Sequence, residues 1–179
     1  MTLLLMRGIV YVNITNYVVI CWRHNVRLTR KTDYALRALF TLVEHRGRGP
    51  IPVRELARRN DVPKRFLEHI LLKLKSRGWV DSVPGKKGGY LLARNPRQIT
   101  MGQVVRLFDG DIAPVACVST LSYRKCSQEP LCRFRRLLLE LRNSTAAWLD
   151  QATLAAVHSG EPVRKEEVFD ERWMDGDGI

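Results

Sequence analysis

The chain has 179 residues, of which 45% are hydrophobic, enough to build a packed core and to exclude wholesale disorder. Its net charge of +12 is uneven, because residues 26–159 carry 25 Lys and Arg against 11 Asp and Glu, whereas residues 160–179 are acidic. A basic body favours a polyanionic partner, since neutralised phosphates release counterions. Four cysteines are too few for a disulfide scaffold and indicate a reducing, cytoplasmic setting.

Residues 1–25 differ from the rest, with two arginines, no acid and an apolar run over Ile9–Trp22. The run is too short for a membrane-spanning helix, which needs about twenty apolar residues. No small-residue cleavage motif follows it, so a signal peptide is the weaker alternative. We therefore predict a poorly ordered extension and no membrane partner.

Residues 26–98 show the pattern of three helices and a hairpin. Apolar residues recur at helical spacing in segments that open near Thr29, Pro52 and Pro63. Two short strands follow, joined by a Pro-Gly-Lys-Lys-Gly turn. The pattern predicts a mainly α protein whose DNA-binding domain is a winged helix-turn-helix. The first helix is predicted over Thr29–Arg46 and the third over Pro63–Gly78. The two strands are predicted over Trp79–Val83 and Gly89–Leu92.

A second part follows the hairpin. Residues 99–129 are predicted as a short helix, capped by Thr100, and a cysteine-bearing loop. A long dimerisation helix is predicted over residues 130–158, and residues 159–179 are predicted as an acidic, disordered tail. The apolar positions of the long helix alternate in steps of three and four, which is typical of a coiled-coil seam, unless the helix packs on its own domain. The seam residues are Leu131, Phe134, Leu138, Leu141, Thr145, Trp148 and Ala152.

The third predicted helix would enter the major groove of a DNA duplex with its polar face. Arg65 can donate two hydrogen bonds to guanine, Glu68 can accept from cytosine, and His69 can reach a guanine acceptor. The alternative is a solvated face on which Glu68 pairs with Arg65. Lys86 and Lys87 of the wing suit a minor groove, or else only keep the hairpin soluble. The other candidate DNA contacts are Lys64, Lys73, Arg30, Lys31, Arg54, Arg58 and Arg59.

Three cysteines, Cys117, Cys126 and Cys132, have eight and five residues between them, gaps that are too wide for a zinc ribbon. Thiolates suit zinc, copper(I) or iron–sulfur clusters. Three thiolates leave a cluster one ligand short, and a weaker oxygen or nitrogen ligand must complete it. That arrangement favours a labile sensor. Structural zinc and metal-free thiol oxidation are the alternatives.

The sequence resembles the IscR/NsrR-like (Rrf-two) family of bacterial regulators from about Val26 to Val157. No single motif carries the resemblance, but their order along the chain is specific. The motifs are Arg27-Leu28-Thr29, Asp33-Tyr34-Ala35-Leu36-Arg37, Phe66-Leu67-Glu68, Gly88-Gly89-Tyr90-Leu91-Leu92-Ala93 and the three-cysteine loop.

The resemblance implies a homodimer that binds palindromic operators in double-stranded DNA, usually as a repressor. It also implies one 2Fe–2S or 4Fe–4S cluster per protomer, which responds to iron, oxidative stress or nitric oxide. Some relatives take the fourth ligand from a histidine just after the third cysteine, and that histidine is absent here. Others use an aspartate of the partner's first helix, which would be Asp33. The arginine common before the wing glycine is Pro84 here, so Lys86 and Lys87 must supply the wing's charge.

Relatives typically begin Met-Arg-Leu-Thr, and Val26-Arg27-Leu28-Thr29 stands in that place. Because a GTG valine codon can initiate translation in bacteria, we hypothesise that the natural start is Val26. The intact mass of protein expressed from the native gene tests this hypothesis, and a product that starts at Met1 would refute it.

No Ser/His/Asp set, phosphate-binding glycine loop or metal motif with an open position occurs, so no enzyme is expected. The function predicted from the sequence is a transcription regulator, most simply a repressor, whose DNA binding is controlled by a labile iron–sulfur cluster. A cluster-free thiol regulator is the first alternative. A zinc-stabilised basic scaffold for nucleic acid is the alternative from another class.

Overall fold

The computed structural model describes residues 28–168 and the backbone of three upstream strands. These strands pair antiparallel in chain order, so the extension contains regular structure that the sequence did not predict. The hypothesised start at Val26 and residues 169–179 of the tail lie outside the described residues. Within the described part of the chain, no helix is long and apolar enough to span a membrane. The upstream strands are β1 (Leu5–Met6), β2 (Ile9–Ile14) and β3 (Tyr17–Cys21).

Three helices form the first half of the domain, as predicted: α1 (Arg30–Glu44), α2 (Val53–Asn60) and α3 (Lys64–Ser76). Their apolar faces meet in one core, in which Leu39 and Leu67 are fully buried. Burial of a leucine side chain stabilises the fold by about 1.5–3 kcal/mol. The core therefore fixes α3 rigidly against α1 and leaves its other face to solvent.

The junctions between these elements are fixed locally. Asp61 takes a left-handed φ of 52° and ends α2. Pro63 then precedes α3. Proline is tolerated at a helix start because its fixed φ suits the first turn and the N–H group that it lacks would have no partner within the helix. The rings of Tyr34 and Phe66 pack edge to face, with centroids 5.6 Å apart, and hold the start of α3 on α1. Thr29, at the N-cap position of α1, donates its hydroxyl to the Asp109 carboxylate instead of capping its own helix.

The wing is a two-stranded antiparallel hairpin of β4 (Val80–Val83) and β5 (Gly89–Leu92), which confirms the predicted strands. Ile51, just before α2, joins its edge, because Ile51 and Tyr90 exchange two backbone hydrogen bonds of 2.8 Å. A Cβ atom on Gly89 would lie 2.2 Å from the Ile51 carbonyl oxygen. The close approach of the two backbones therefore requires glycine at this position.

Helix α4 (Met101–Phe108) follows and confirms the predicted helix after the wing. It begins with a capping box, in which the Thr100 hydroxyl accepts from the Gln103 amide and the Gln103 side chain accepts from the Thr100 amide. We call residues 111–132 the cysteine segment. Within the described residues, its regular structure is a 3₁₀ turn at Ala116–Val118.

The single long helix predicted over residues 130–158 is wrong in its bounds. The structure has two helices, α5 (Phe134–Gln151) and α6 (Leu154–His158), and a short α7 (Lys165–Val168) inside the predicted tail. Residues 130–133 lie in turns and irregular chain before α5. Cys132 therefore precedes the helix instead of forming its first turn.

The break between α5 and α6 has a tertiary cause. The Met101 amide donates to the Ala152 carbonyl at 2.8 Å, and the Leu154 amide donates to the Ile99 carbonyl at 2.7 Å. Thr153 caps α6 with its hydroxyl, and Leu154 is fully buried in the core. These contacts stabilise the break more than a continuous helix would be stabilised by its own backbone hydrogen bonds. They also place Ala152 against the core instead of on the predicted seam.

Candidate functional site

The outer face of α3 carries most of the predicted base-reading side chains. Lys64, Arg65 and His69 are exposed. Glu68 is half-buried and pairs with Lys64 at 3.3 Å, one turn away, instead of with Arg65. The Arg65 guanidinium is therefore not held by Glu68. The Lys73 ammonium lies over the Phe108 ring, 5.6 Å from its centroid, so it contacts α4 more than the groove-facing surface.

Basic side chains surround α3 on the neighbouring elements. The wing tip exposes Lys86 and Lys87. On α2, Glu55 pairs with Arg58 at 2.9 Å and with Arg59 at 2.8 Å. Hydrogen bonds from these two arginines lower the pKa of Glu55 to about 2. The remaining predicted phosphate contacts, which are all exposed, are Arg30, Lys31 and Arg54.

Asp33, the predicted fourth ligand, lies on the surface of α1 in the first turn. Its carboxylate pairs with Arg37 one turn later at 2.8 Å. The hydrogen bond that Arg37 donates to the Asp33 carboxylate raises the pKa of Arg37. Asp33 as a ligand to the partner subunit's cluster stays a prediction.

Asp111 organises the start of the cysteine segment. Its carboxylate accepts hydrogen bonds from the Ser119 hydroxyl, from the Thr120 amide at 2.9 Å and from the Leu121 amide at 3.2 Å. Burial raises the pKa of Asp111, but these hydrogen bonds outweigh it, and the net pKa is lowered. A charged Asp111 therefore closes the chain into a loop around Cys117.

Two arginines of α5 hold the first cysteine turn. The Arg135 guanidinium donates to the Cys117 carbonyl at 3.0 and 3.2 Å, and Arg142, two helical turns later, donates to the Val118 carbonyl at 2.9 Å. Arg135 also pairs with Glu129 at 2.5 Å. The Arg135 guanidinium thus links Cys117, which precedes Cys126, to Glu129, which follows it. The sequence analysis missed these residues, because no local pattern links them to carbonyls 18 and 24 residues earlier in the chain.

Glu129 has a second partner in the cysteine segment, the Tyr123 hydroxyl, at 2.8 and 3.0 Å. This hydrogen bond lowers the pKa of Glu129 and raises that of Tyr123. The carboxylate is only 14% exposed. The charged Glu129 carboxylate is bonded to both Arg135 and Tyr123, so it fixes the chain between Cys126 and Cys132.

The three predicted thiol ligands are only partly brought together. Cys117 and Cys132 are half-buried and line one open pocket of about 350 Å³, whereas Cys126 is exposed outside it. No set of three or more His, Cys, Asp or Glu residues within the described part of the chain is placed to hold a metal ion. The soft thiol donors fit an iron–sulfur cluster chemically. Convergence of all three requires Cys126 to move, and its neighbourhood has no regular structure that opposes this.

Helix α5 presents an apolar stripe to solvent. The exposed fraction is 82% for Trp148 and 81% for Leu131 in the single chain. Leu138 and Thr145 of the predicted seam are half-buried in the single chain, and Leu137, which was not predicted in the seam, is exposed. Large apolar side chains exposed together on one surface are typical of protein–protein contact surfaces. The exposed members on α5 are Phe134, Leu137, Leu141 and Trp148, and the exposed Leu131 lies in the turn just before the helix.

Comparison with known proteins agrees with this architecture. Residues 28–159 match the Rrf2 family, described as iron-dependent transcriptional regulators. A helix-turn-helix regulator described as Rrf2-like from Rhodobacter capsulatus is 39% identical over 145 residues, which cover 77% of this chain and 97% of that protein. The regulator IscR of Sodalis glossinidius is 31% identical and covers 77% of this chain and 82% of its own length.

Among solved structures, the global cysteine regulator CymR of Bacillus subtilis superposes with a TM-score of 0.62 at 27% identity. The match covers 76% of this chain and 98% of CymR. The relatives are regulators of transcription and not enzymes. With its winged helix, its cysteine segment and a family match over most of its length, the chain belongs to the Rrf2 family of transcriptional regulators.

Proposed function

We propose that this regulator is a cytoplasmic homodimer that represses transcription from a palindromic operator, and that its cysteine segment controls DNA binding. The two α3 helices of such a dimer would enter successive major grooves of double-stranded DNA, about 34 Å apart. The wing lysines and the exposed basic residues of α1 and α2 would add phosphate contacts.

One observation carries this proposal. Arg135 and Arg142 bind the carbonyls of the first cysteine turn, and the same helix presents its apolar stripe to solvent. A dimer formed through α5 would place the cysteine segment in direct contact with the element that sets the distance between the two α3 helices. A change in the segment would therefore alter the fit to the operator.

We propose a labile iron–sulfur cluster, of 2Fe–2S or 4Fe–4S type and one per protomer, as the signal-sensing group. Cys117, Cys126 and Cys132 would hold it, and Asp33 of the partner subunit would complete it. When bound, the cluster would supply reactivity toward oxidants and nitric oxide. Asp33 would have to leave Arg37, and an oxygen ligand of this kind is easily lost, which suits a sensor.

A cluster-free thiol regulator is the second candidate. It is favoured by the arrangement of the thiols, because two of the three share one pocket while the third lies outside. Partly exposed thiols in an arginine-lined pocket are accessible to oxidants.

Anaerobic purification followed by a visible absorption spectrum and by iron and sulfide analysis separates the two candidates. A coloured protein with equal iron and sulfide would support the cluster, and its operator affinity would then be compared before and after exposure to air. A colourless protein after cluster reconstitution would contradict the cluster, and operator binding with and without peroxide would then test the thiol regulator. Equal operator binding in every state would refute both.

Substitution of Glu68 by alanine tests base reading by α3. We expect relaxed base preference at one or two operator positions, by about 1–3 kcal/mol, because a carboxylate accepts from cytosine but is repelled by phosphates. Overall affinity should hold or rise, since Lys64 is released from its ion pair. Selection from a randomised operator library measures both effects. Glu68→Gln is the matched control for charge, and an Ala variant with the selectivity of the wild type would rule out a reading role.

A further inference from the structure

We propose that Cys117 and Cys132 form an intramolecular disulfide when the cluster-free protein reacts with a hydroperoxide, and that Cys126 is excluded from this pair. The proposal deepens the proposed function by naming the oxidised state of the cysteine segment. The pairing itself is independent of DNA binding and can be measured without an operator.

The first support is the shared pocket. Cys117 and Cys132 are half-buried and line the same open volume of about 350 Å³, which is ample for a small peroxide. Cys126 lies at the start of a turn closed by its own carbonyl and the Glu129 amide, 3.1 Å apart. Its side chain is exposed and does not line that pocket.

The second support is the set of contacts that holds the Cys117 turn beside the start of α5, next to Cys132. The Cys117 carbonyl is bonded to Arg135, which is only three residues beyond Cys132. Arg142 fixes the next carbonyl of the same 3₁₀ turn, so the turn is held on α5 at two points. Cys132 itself precedes the helix and can approach Cys117 without breaking any helical hydrogen bond. A disulfide needs Cα atoms about 4.4–6.8 Å apart, and a shift of this irregular residue can supply the approach.

The third support is the polar lining of the pocket. Three arginines border it: Arg135, Arg136 and Arg142. Their N–H groups can donate hydrogen bonds to the oxygen that leaves during peroxide cleavage. Cys126, outside this lining, has no such assistance from the pocket.

The reaction balances in two steps. In the first, one thiolate sulfur attacks the peroxide, the O–O bond breaks, the sulfur becomes a sulfenic acid and the other oxygen leaves as alcohol or water after it takes a proton. In the second, the other thiol attacks the sulfenic sulfur, the S–S bond forms and water leaves. The two sulfurs are oxidised and the peroxide is reduced. The protein becomes about 2 Da lighter, because it loses two hydrogen atoms.

The test is peptide mapping of the cluster-free protein after treatment with hydrogen peroxide, in a Cys21→Ser background that removes the fourth thiol. We expect a Cys117–Cys132 cross-link in a protein that runs as a monomer on a non-reducing denaturing gel. Cys126→Ala should still form it, and Cys117→Ser or Cys132→Ser should not. Cross-links that contain Cys126, cross-links between protomers, or oxidation of single thiols without a cross-link would each overturn the proposal.

Arg135→Gln tests the positioning of Cys117, with Arg133→Gln as the matched control, because Arg133 is an exposed arginine that does not line the pocket. Loss of the two bonds to the Cys117 carbonyl should slow disulfide formation by about tenfold or more, since small misplacements cost that much in rate. The control should react at nearly the rate of the wild type, and equal rates for both variants would overturn the role of Arg135. A disulfide that forms while operator binding stays unchanged would refute thiol control of DNA binding and leave the pairing intact.

Discussion

Trp148→Asp is expected to leave the protein monomeric and to abolish tight operator binding. Trp148 is 82% exposed on α5 in the single chain, and in the proposed dimer its indole would be buried against the partner. Loss of a buried tryptophan costs about 3–5 kcal/mol, and each dimer loses two. Even one such loss weakens association by about 100-fold or more. Light scattering measures the mass, and a titration of operator DNA measures the affinity.

Ala147→Asp is the matched control for this variant. It adds the same charge to the same helix, at an exposed position about 100° around the axis from Trp148. We expect it to remain dimeric and to bind the operator normally. If the Trp148→Asp variant is still dimeric at micromolar concentration, the apolar stripe of α5 is not the dimer surface. Equal helix content of the two variants, measured by circular dichroism, would establish that the difference does not arise from unfolding.

Cys126→Ala is expected to remove the cluster while the fold remains intact. The side chain is exposed and contributes nothing to the core, so the melting temperature should be unchanged. Loss of one of three thiolates should lower cluster affinity by about 100-fold or more, since even outer-shell partners are worth 10–100-fold. Iron and acid-labile sulfide per protomer, measured after anaerobic reconstitution, give the result directly.

Ser127→Ala serves as the control, because it changes the neighbouring exposed residue without removing a thiol. It should reconstitute like the wild type. Full iron and sulfide in Cys126→Ala would contradict the three-cysteine site. Together with the peroxide experiment, the variant separates two proposed roles of the segment, since we expect Cys126 to be required for the cluster and dispensable for the disulfide.

The local pattern of the sequence predicted the winged helix well. Helical spacing of apolar residues located α1, α2 and α3, and Pro63 marked the start of α3. The wing followed from two short strands and a glycine-rich turn. These features depend on residues near one another in the chain, for which periodicity and turn chemistry are reliable guides.

The errors fall where distant segments meet. The apolar spacing of α5 continues beyond Gln151, but backbone bonds from Met101 and to Ile99 end the helix there. The partner of Glu68 is a local exception, because Lys64 and Arg65 both lie within reach along one helix and the sequence alone does not choose between them. The bonds from Arg135 and Arg142 to the cysteine turn join residues 18 and 24 positions apart. No local pattern encodes such pairs, so the geometry of the cysteine site was out of reach.

The contacts at the break between α5 and α6 determine how α5 can move. Its C-terminal end is bonded to the rigid domain through the Ala152 carbonyl, and Asp150 forms two hydrogen bonds of 2.6 and 2.7 Å with Arg106 of α4. A side chain on the buried Gly102 would collide with Asp150, so α4 and α5 cannot separate easily there. Toward its other end, about 27 Å away, α5 is held by hydrogen bonds from its own Arg135 and Arg142 to backbone carbonyls of the cysteine segment. Any tilt of α5 therefore pivots about its C-terminal end, and a tilt of ten degrees displaces the cysteine end by about 5 Å.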